Sequence, residues 1–536
     1  MTSLHEQEEI LAPYFDPVFY VSSYPDIEEK HLSPLRHFIK SGWRDRRNPN
    51  RWFDVDYYLR MNLDVAESGI NPLLHYVWAG RSEGRRPCRE MDAERRQLQA
   101  ARPASIRAME WACVADDTAP GDGETLVATL CTSDAAGLAI AISHDDYSRN
   151  YGGVQKLIGD EAREFGRAGW DYLHLSPAAP LPILAAAAGD GFRVVARRNG
   201  ERLGVFRLGH VADAVARVVQ SGRRAETLLH HLMGWSTEAV AILTEAARSR
   251  PIFWAHDFFS LCPSYTLMRN DVAFCGAPPP ASNACQLCVN GADRTAQAPR
   301  MAAFFARTRP FVLAPSASAF AVWRTGGLAH EGHAVVPLGR LALDGVGQVA
   351  GPTTGPVRIA HLGARVLFKG WGVFETLARE FAADPRYQFF QLGVDGHTPR
   401  IGAIRHIPVQ VTTGTPDAMI DAVARHRIDV VVSWSVWPET FCFAAHEAVA
   451  AGAALIVHSA AGNVPSLARE LGDTRALVLN DAAALRGAFA GDVVTALARS
   501  EGRRYGVILP SAGSADWLLK RRHPRPTIRE MTHAAD

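Results

Sequence analysis

The chain is predicted to fold as two Rossmann-like α/β lobes with a cleft between them, preceded by a small helical repeat module. Three observations predict this. From Leu138 onward, short buried-strand patterns alternate with helical ones, the texture of a mostly parallel sheet covered by helices on both faces. The alternation breaks at the Thr- and Gly-rich stretch Gly351 to Gly355 and starts again at Val357. Ahead of both, residues 1–95 carry two ungapped copies of one 38-residue pattern.

In the repeat, Phe15-Asp16, Tyr20, Asp26-Ile27, Pro34-Leu35, His37, Gly42, Arg47 and Pro49 recur as Phe53-Asp54, Tyr58, Asp64-Val65, Pro72-Leu73, His75, Gly80, Arg85 and Pro87. The spacing reads as short helices, with Gly42 and Gly80 as helix stops. Residues 96–136 read as a linker, entered through a charged helical run from Arg89 to Arg102 and followed by turn-rich residues from Asp116 to Gly123 and one strand at Leu126–Cys131. The first lobe, 137–338, opens with a strand at Leu138–Ser143 and a helix from Val154 to Ala168. Further strands are expected at Tyr172–Leu175, Arg193–Val195, Thr227–His230 and Ile252–His256, with a helix at Thr237–Ser249. Phe311–Pro315 and Ala334–Pro337 lead toward the second lobe, 339–510. That lobe has strands at Val357–Leu362, Gln388–Leu392, Val409–Val411, Asp429–Ser433 and Ala454–His458. Two such lobes in succession place a ligand cleft where strand C-termini face each other.

Bulk properties narrow the class. At 536 residues the chain exceeds one hydrophobic core, and 47% apolar with 21% charged residues is ordinary for a globular protein. A net charge of +1 gives no reason to expect a nucleic-acid partner. The polar, acidic start MTSLHEQEEI is no secretory signal, and no apolar run, Pro180–Gly189 included, approaches the roughly 20 residues a bilayer span needs. Eight cysteines in such a length make no disulfide scaffold, so a reducing, cytoplasmic location is expected. The basic tail 511–536, with Leu518-Leu519-Lys520-Arg521-Arg522-His523-Pro524-Arg525, is a candidate for peripheral contact with an anionic membrane face or simply a solvated terminus.

Five places hold candidate chemistry. Tyr151-Gly152-Gly153-Val154-Gln155 follows the first strand at a helix start, where bare backbone and helix amides suit a phosphate or sugar; Gly-Gly is equally a tight turn. It lacks the full G-x-G-x-x-G dinucleotide fingerprint. His256, in Trp254-Ala255-His256-Asp257-Phe258, sits at a strand end on the cleft side, either to meet a substrate hydroxyl or as a satisfied, partly buried histidine. Glu439 lies in the loop Trp437-Pro438-Glu439-Thr440-Phe441 after a hydrophobic strand, Thr440 is placed to cap the following helix, and Gly452 ends it. Glu447 stands in that helix among Ala, Val, Cys and Phe, where a carboxylate needs a hydrogen-bonding reason unless it faces solvent. Lys369-Gly370-Trp371 follows the first strand of lobe two, well placed to neutralise a diphosphate.

The fifth place is a cysteine cluster. Cys262, Cys275, Cys285 and Cys288 put half of the eight cysteines into 27 residues, and Cys285-Gln-Leu-Cys288 has the two-residue knuckle of tetrahedral zinc. Gly276, Pro278–Pro280 and Asn283 leave the loop little apolar material, so a structural zinc is expected there; reduced free thiols or a redox pair are the alternatives.

The order and spacing of these segments resemble the retaining glycosyltransferases of family 4, which have the GT-B fold, over Leu138 to Arg503. The resemblance rests on Gly152-Gly153-Val154, His230-His231-Leu232, His256 through Pro263, Lys369-Gly370 and Glu439-x7-Glu447. It implies that Gly152 and Gly153 lie on the phosphate side and that His256 meets the transferred sugar near its reacting centre. It implies further that Lys369 contacts the nucleotide diphosphate, Glu439 the sugar hydroxyls and Glu447 the ribose, with Gly370, Thr440 and Phe441 beside them. The chain departs from the family's pattern at Ala364, where an Arg is usual and the nearest is Arg365; at Cys442, where Gly is common; and at Ala460-Ala461-Gly462-Asn463, where a glycine pair is common. The implied activity is transfer of a sugar from a nucleotide-sugar to a glycan or lipid-linked acceptor, with retention and without a catalytic cofactor or metal. Asp54-Val55-Asp56 is the only D-x-D, and its counterpart Asp16-Pro17-Val18 lacks the second acid, which reads as structural. The repeat module resembles units fused to enzymes of bacterial surface-polysaccharide synthesis, which implies assembly partners in that pathway. A GT-B sugar-nucleotide epimerase, recognised by acceptor-free product, and a non-catalytic scaffold are the competing readings.

Overall fold

The computed structural model describes residues 3–29, 33–50, 53–81, 83, 85, 87–88, 97–98, 100–111, 115–186, 191–343, 355–394, 402–500 and 502–519. Arg86, most of the charged run from Arg89, the stretch 351–354 and the basic residues from Lys520 onward lie outside the described residues.

In the N-terminal module the helices Pro17–Ser23 and Val55–Met61 start alike. Asp16 accepts from the Phe19 amide and Asp54 from the Tyr57 amide, both at 2.9 Å. Each copy then ends in a π-helical turn, Phe38–Gly42 and Tyr76–Gly80. The buried Tyr20 hydroxyl meets His37 Nδ1 at 2.9 Å and the Tyr58 hydroxyl meets His75 Nδ1 at 3.0 Å. Arg47 pairs with Asp26 and Arg85 with Asp64. One aromatic core, including Phe15, Tyr20, Phe38, Phe53, Tyr58 and Tyr76, joins the two copies. Gly42 and Gly80 are not left-handed helix stops. They lack a side chain because a Cβ there would collide with the Tyr20 or Tyr58 hydroxyl.

Lobe one is an eight-stranded sheet built from β1 (Gly137–Ile142), β2 (Asp171–Pro177), β3 (Arg193–Arg198), β4 (Glu201–Arg207), β5 (Arg224–Leu229), β6 (Ile252–Trp254), β9 (Phe311–Ala314) and β10 (Gly332–Val335). Its order is β10-β9-β6-β5-β1-β2-β3-β4, parallel except where β3 and β4 join antiparallel. A hairpin of β7 (Met268–Arg269) and β8 (Ala273–Phe274) leaves it inside the cysteine-bearing loop. β1 is buried along its whole length, as a central parallel strand requires. Two expectations fail here. Leu126–Cys131 is not a strand but the end of the helix Gly123–Cys131, because the Asp122 carboxylate caps the Thr125 amide and Leu126, Val127 and Leu130 then share one buried face. Nor is the segment before lobe one a free linker, since the Ala104 and Ser105 amides donate to Asn290 and Asp293, both at 2.9 Å.

Lobe two is a six-stranded, all-parallel sheet: β12 (Val357–Leu362), β13 (Tyr387–Gly393), β14 (Ile404–Pro408), β15 (Val430–Ser433), β16 (Ala454–His458) and β17 (Ala476–Leu479). Its order β14-β13-β12-β15-β16-β17 is that of a doubly wound fold, with the topological switch between β12 and β15. The strand expected at Val409–Val411 lies earlier, at Ile404–Pro408, and its pairing with β13 ends at Pro408.

The chain crosses between lobes twice, and the crossings pair as β11 (Gly339–Ala342) with β18 (Val507–Pro510). The helix Gly513–Leu519 then returns to lobe one, so this part of the expected tail is a packed element: buried Ala515 joins the cluster of Ala139, Leu157, Phe165 and Trp254. No helix among the described residues is long and apolar enough to cross a membrane.

Gly80→Ala is expected to destabilise the module by about 1–3 kcal/mol through overpacking against Tyr58. Chemical denaturation of residues 1–95 within the full chain, followed by tyrosine fluorescence, measures it.

Candidate functional site

The doubly wound order of lobe two predicts a ligand crevice at the C-terminal edges of β12 and β15, and a pocket of about 280 Å³ lies there. His361 to Ala364, Lys369, Val431 to Ser433, Ser435 and Phe441 to Ala445 line it, and Gly153 closes it from lobe one. A neighbouring space of about 430 Å³ runs between Ser148–Tyr151 of lobe one and Gly363, Gly393 and Val409–Thr413 of lobe two.

Lys369 and Glu439, 70 positions apart, meet at the rim. Lys369 Nζ donates to both Glu439 oxygens at 2.7 and 2.9 Å, and the Ser435 hydroxyl donates to Oε1 at 2.6 Å. Glu439 is only 2% exposed. Burial works against charge on Lys369, but the Glu439 carboxylate outweighs it and holds the ammonium above its ordinary pKa. Two glycines make the approach possible. Gly370, at φ 82°, sits where a Cβ would collide with the Trp434 carbonyl, and Gly462, at φ 66°, where it would collide with the Glu439 backbone. The Asn463 amide then donates to the Glu439 carbonyl at 3.0 Å. The Ala460–Asn463 turn thus cradles Glu439 with one glycine instead of two.

Thr440 does not cap the following helix. That helix runs from Phe443 to Ala450 with Cys442 as its N-cap residue and no side-chain cap, while the Thr440 hydroxyl crosses to the other lobe and donates to the His256 carbonyl at 2.5 Å. Phe441 stacks on His446 at 4.4 Å. Phe443 is the nearest neighbour a Cβ on Gly153 would meet, at 3.4 Å, and Gly152 is the extended N-cap residue of the helix Gly153–Arg167. Arg365 is 9% exposed, in the turn after β12. Glu447 lies one turn into its helix, between the lobes. Burial and the Asp417 carboxylate push it up to about 7, with Lys156 of lobe one acting against them, and the Tyr151 hydroxyl feels its charge. Glu447 thus meets groups of lobe one, while the Glu439 carboxylate is held by Lys369 and Ser435 of its own lobe.

His256 is 6% exposed, and its ring lies nearly parallel to those of Trp254 (5.0 Å, 3° between planes) and His230 (5.5 Å, 9°), which are 6.3 Å from each other. Burial, then the neighbouring His230, hold its pKa well below the ordinary value. Beside it His231 donates to Asp257 at 2.9 Å and accepts from the Met233 amide, which fixes its tautomer. Asp257 is held below its usual pKa by His231 despite its burial. His144 packs on His231 at 4.5 Å and is pushed down to about 4 by burial and by that histidine.

Sequence reasoning did not single out Glu161, Ser435, His144, His361 or Ser514. His144 and His361 sit at strand ends like His256, a signal that was present. Glu161 reads as an ordinary helix carboxylate, and its burial arises only from tertiary packing.

The cysteines come together without making a metal site. Cys262, Cys275, Cys285 and Cys288 line one pocket of about 10 Å³, yet among the described residues no three His, Cys, Asp or Glu groups stand where they could hold a metal ion. The buried Arg294 explains the packing instead. It donates to Cys285 Sγ at 2.7 Å and to the Leu261 carbonyl at 3.1 Å, so a guanidinium cross-links the loop where zinc was expected.

No family model matches the chain, and no curated protein matches it. Among solved structures it is similar to sucrose-phosphate synthase from Thermosynechococcus elongatus (16% identity, 68% of this chain and 91% of that one, TM-score 0.40). It is also similar to Anabaena HepE in complex with UDP-glucose (14%, 68% and 93%, 0.40). A third similar structure is a glycosyltransferase from Rickettsia africae ESF-5 (11%, 68% and 90%, 0.41).

Because its folded pKa is raised, Glu447 disfavours the native state increasingly as pH climbs from its unfolded value through about 7. Glu447→Gln, which does not titrate, is therefore expected to raise Tm at pH 8 and to leave it unchanged at pH 4. Scanning calorimetry across that range checks the sign.

Proposed function

We propose that the chain is a GT-B glycosyltransferase. It transfers a sugar, with retention, from a nucleotide-sugar held by lobe two to a glycan or lipid-linked acceptor on the lobe-one side, in bacterial surface-polysaccharide synthesis. The observation that carries this reading is the Lys369–Glu439 pair at the β12/β15 switch point. A lysine and a carboxylate that neutralise each other at the mouth of a crevice match a ligand offering both partners in exchange, a phosphate anion and hydroxyl donors. A nucleotide-sugar carries both. Its diphosphate draws Lys369 away, and sugar hydroxyls replace the ammonium on Glu439, whose Ser435 bond keeps the carboxylate oriented.

In the transfer itself, Lys369 stabilises the charge that develops on the leaving diphosphate. Glu447 takes the ribose hydroxyls, and Gly153 lets the lobe-one backbone approach the phosphates. His256, behind the sugar, meets one of its hydroxyls. The acceptor hydroxyl attacks from the face the diphosphate leaves, and the departing phosphate takes its proton. The order and spacing of the segments from Gly152 to Glu447 support retention, and the module's likeness to units fused to polysaccharide enzymes supports the pathway. We assign the module to partner binding and the enzyme to the cytoplasmic face of the membrane.

A thermal-shift screen against UDP-, GDP- and dTDP-sugars tests the reading, beginning with UDP-glucose, which the Anabaena protein holds. One of them is expected to stabilise the chain by about 2.7 kcal/mol at a hundredfold excess over Kd. Lys369→Ala and Glu439→Gln should abolish the shift, and deletion of residues 1–95 should leave it. If no sugar nucleotide raises Tm, the proposal falls.

Once a donor and acceptor are found, proton NMR of the glycoside is expected to show the donor's anomeric configuration. An inverted product would remove the assignment to retaining transfer.

A further inference from the structure

Behind His256 lies a chain of buried polar groups that the proposed transfer leaves without a task; its ligand, a sugar hydroxyl, rests on the glycosyltransferase reading. Glu161, on the helix Gly153–Arg167, is 0% exposed. Its Oε2 accepts from the Tyr172 hydroxyl and faces His230 Nε2, each at 3.0 Å, and its Oε1 accepts from the Ser514 amide at 2.5 Å. His230 Nδ1 in turn faces His256 Nε2 at 3.2 Å. His256 Nδ1 is buried and has no hydrogen-bond partner among the described residues.

These contacts leave one proton arrangement when both imidazoles are neutral. A carboxylate can only accept, so His230 carries its proton on Nε2 and donates it to Glu161. His230 Nδ1 is then a bare lone pair, and only a proton on His256 Nε2 makes a bond across the 3.2 Å gap. His256 Nδ1 is left unprotonated. We propose that Glu161 is a positioning residue which, acting through His230, holds His256 with a bare Nδ1, so that the group recognised there is a proton-bearing hydroxyl of the bound sugar.

The geometry also assigns a task to the returning helix Gly513–Leu519. Besides the Ser514 amide on Glu161, the Ser514 hydroxyl accepts from Trp254 Nε1 at 2.8 Å, and Trp254 is the ring on which His256 stacks. A Cβ on Gly513 would fall 2.6 Å from Glu161 Oε1, so only glycine lets the helix end reach the carboxylate. The segment that comes after the second crossing therefore completes the support of a histidine in the other lobe. Thr440, on the His256 carbonyl, supplies the second hold from lobe two.

The test is the tautomer of His256, read from nitrogen-15 spectra of histidine-labelled full-length protein and assigned with His256→Asn. In the wild type, Nδ1 is expected to be unprotonated. In Glu161→Gln the amide presents donors to a cluster of donors, and in Glu161→Ala the acceptor is gone. Both should move the proton onto His256 Nδ1 in a large part of the molecules, with Gly513→Ala in the same direction. A wild-type Nδ1 that carries a proton, or a tautomer unchanged in both Glu161 variants, overturns the proposal. A second arm compares UDP with UDP-glucose by calorimetry. UDP affinity should be unchanged in Glu161→Gln while UDP-glucose affinity falls about tenfold, the scale of one buried hydrogen bond lost. Equal loss for both ligands overturns the assignment to sugar recognition. If the wild type binds neither ligand, the donor reading fails and the tautomer result still decides the role of Glu161.

Discussion

Glu439 can be buried at the end of the lobe-two sheet only because the partly exposed Lys369 reaches in to meet it. A lone carboxylate 2% exposed would stay ionised only at a large desolvation penalty. The rest of the site follows from keeping this pair intact. Gly370 and Gly462 adopt backbone conformations that bring two loops within reach, Ser435 fixes the carboxylate's rotamer, and the Asn463 amide ties the loop to the next turn. The parallel sheet supplies the frame, since β12 and β15 diverge at its switch point and leave the two loops facing one another.

The same constraint shapes the junction with lobe one. Once Glu439 is turned toward Lys369, the next residue, Thr440, faces outward and its hydroxyl meets a carbonyl of the other lobe instead of starting its own helix. The helix Phe443–Ala450 begins without a side-chain cap as a result. That is a local loss on the scale of about 1 kcal/mol, offset by an interlobe hydrogen bond and by the packing of Trp437 into the lobe-one core.

Much of this was legible in the sequence, for identifiable reasons. The alternating apolar runs that become β1, β12 and β15 are buried on both faces, so their pattern is continuous and strong. Lys369, Glu439 and His256 could be singled out because each follows such a run within a few residues. What was illegible depends on partners far away in the chain. Leu126–Cys131 carries an apolar pattern that suits a strand or a helix, and Asp122 decides for the helix. Thr440 has the residue type and position of a cap, and only the other lobe offers it something better. The four clustered cysteines match a zinc knuckle by spacing, whereas Arg294, from the following helix, is what bonds Cys285. Gly42 and Gly80 do end their helical turns, but the reason they are glycine, the tyrosine 22 residues earlier in each copy, shows only once the two are placed together.

The buried polar groups of lobe one fall under the same rule that governs the rim pair. Glu161, His230 and His256 form a row in an interior that would be cheaper to fill with apolar side chains, and such a row persists without penalty only when each donor meets an acceptor. Three of the acceptances are made at Glu161, one of them by an amide that arrives from the far end of the described chain. One ring nitrogen, His256 Nδ1, has no partner among the described residues. A row that satisfies each of its ring nitrogens but one, next to the carbonyl where the opposite lobe attaches, has concentrated its remaining hydrogen-bonding demand at a single atom. A ligand hydroxyl that reaches it gains a bond without displacing another, which turns a structural deficit into selectivity.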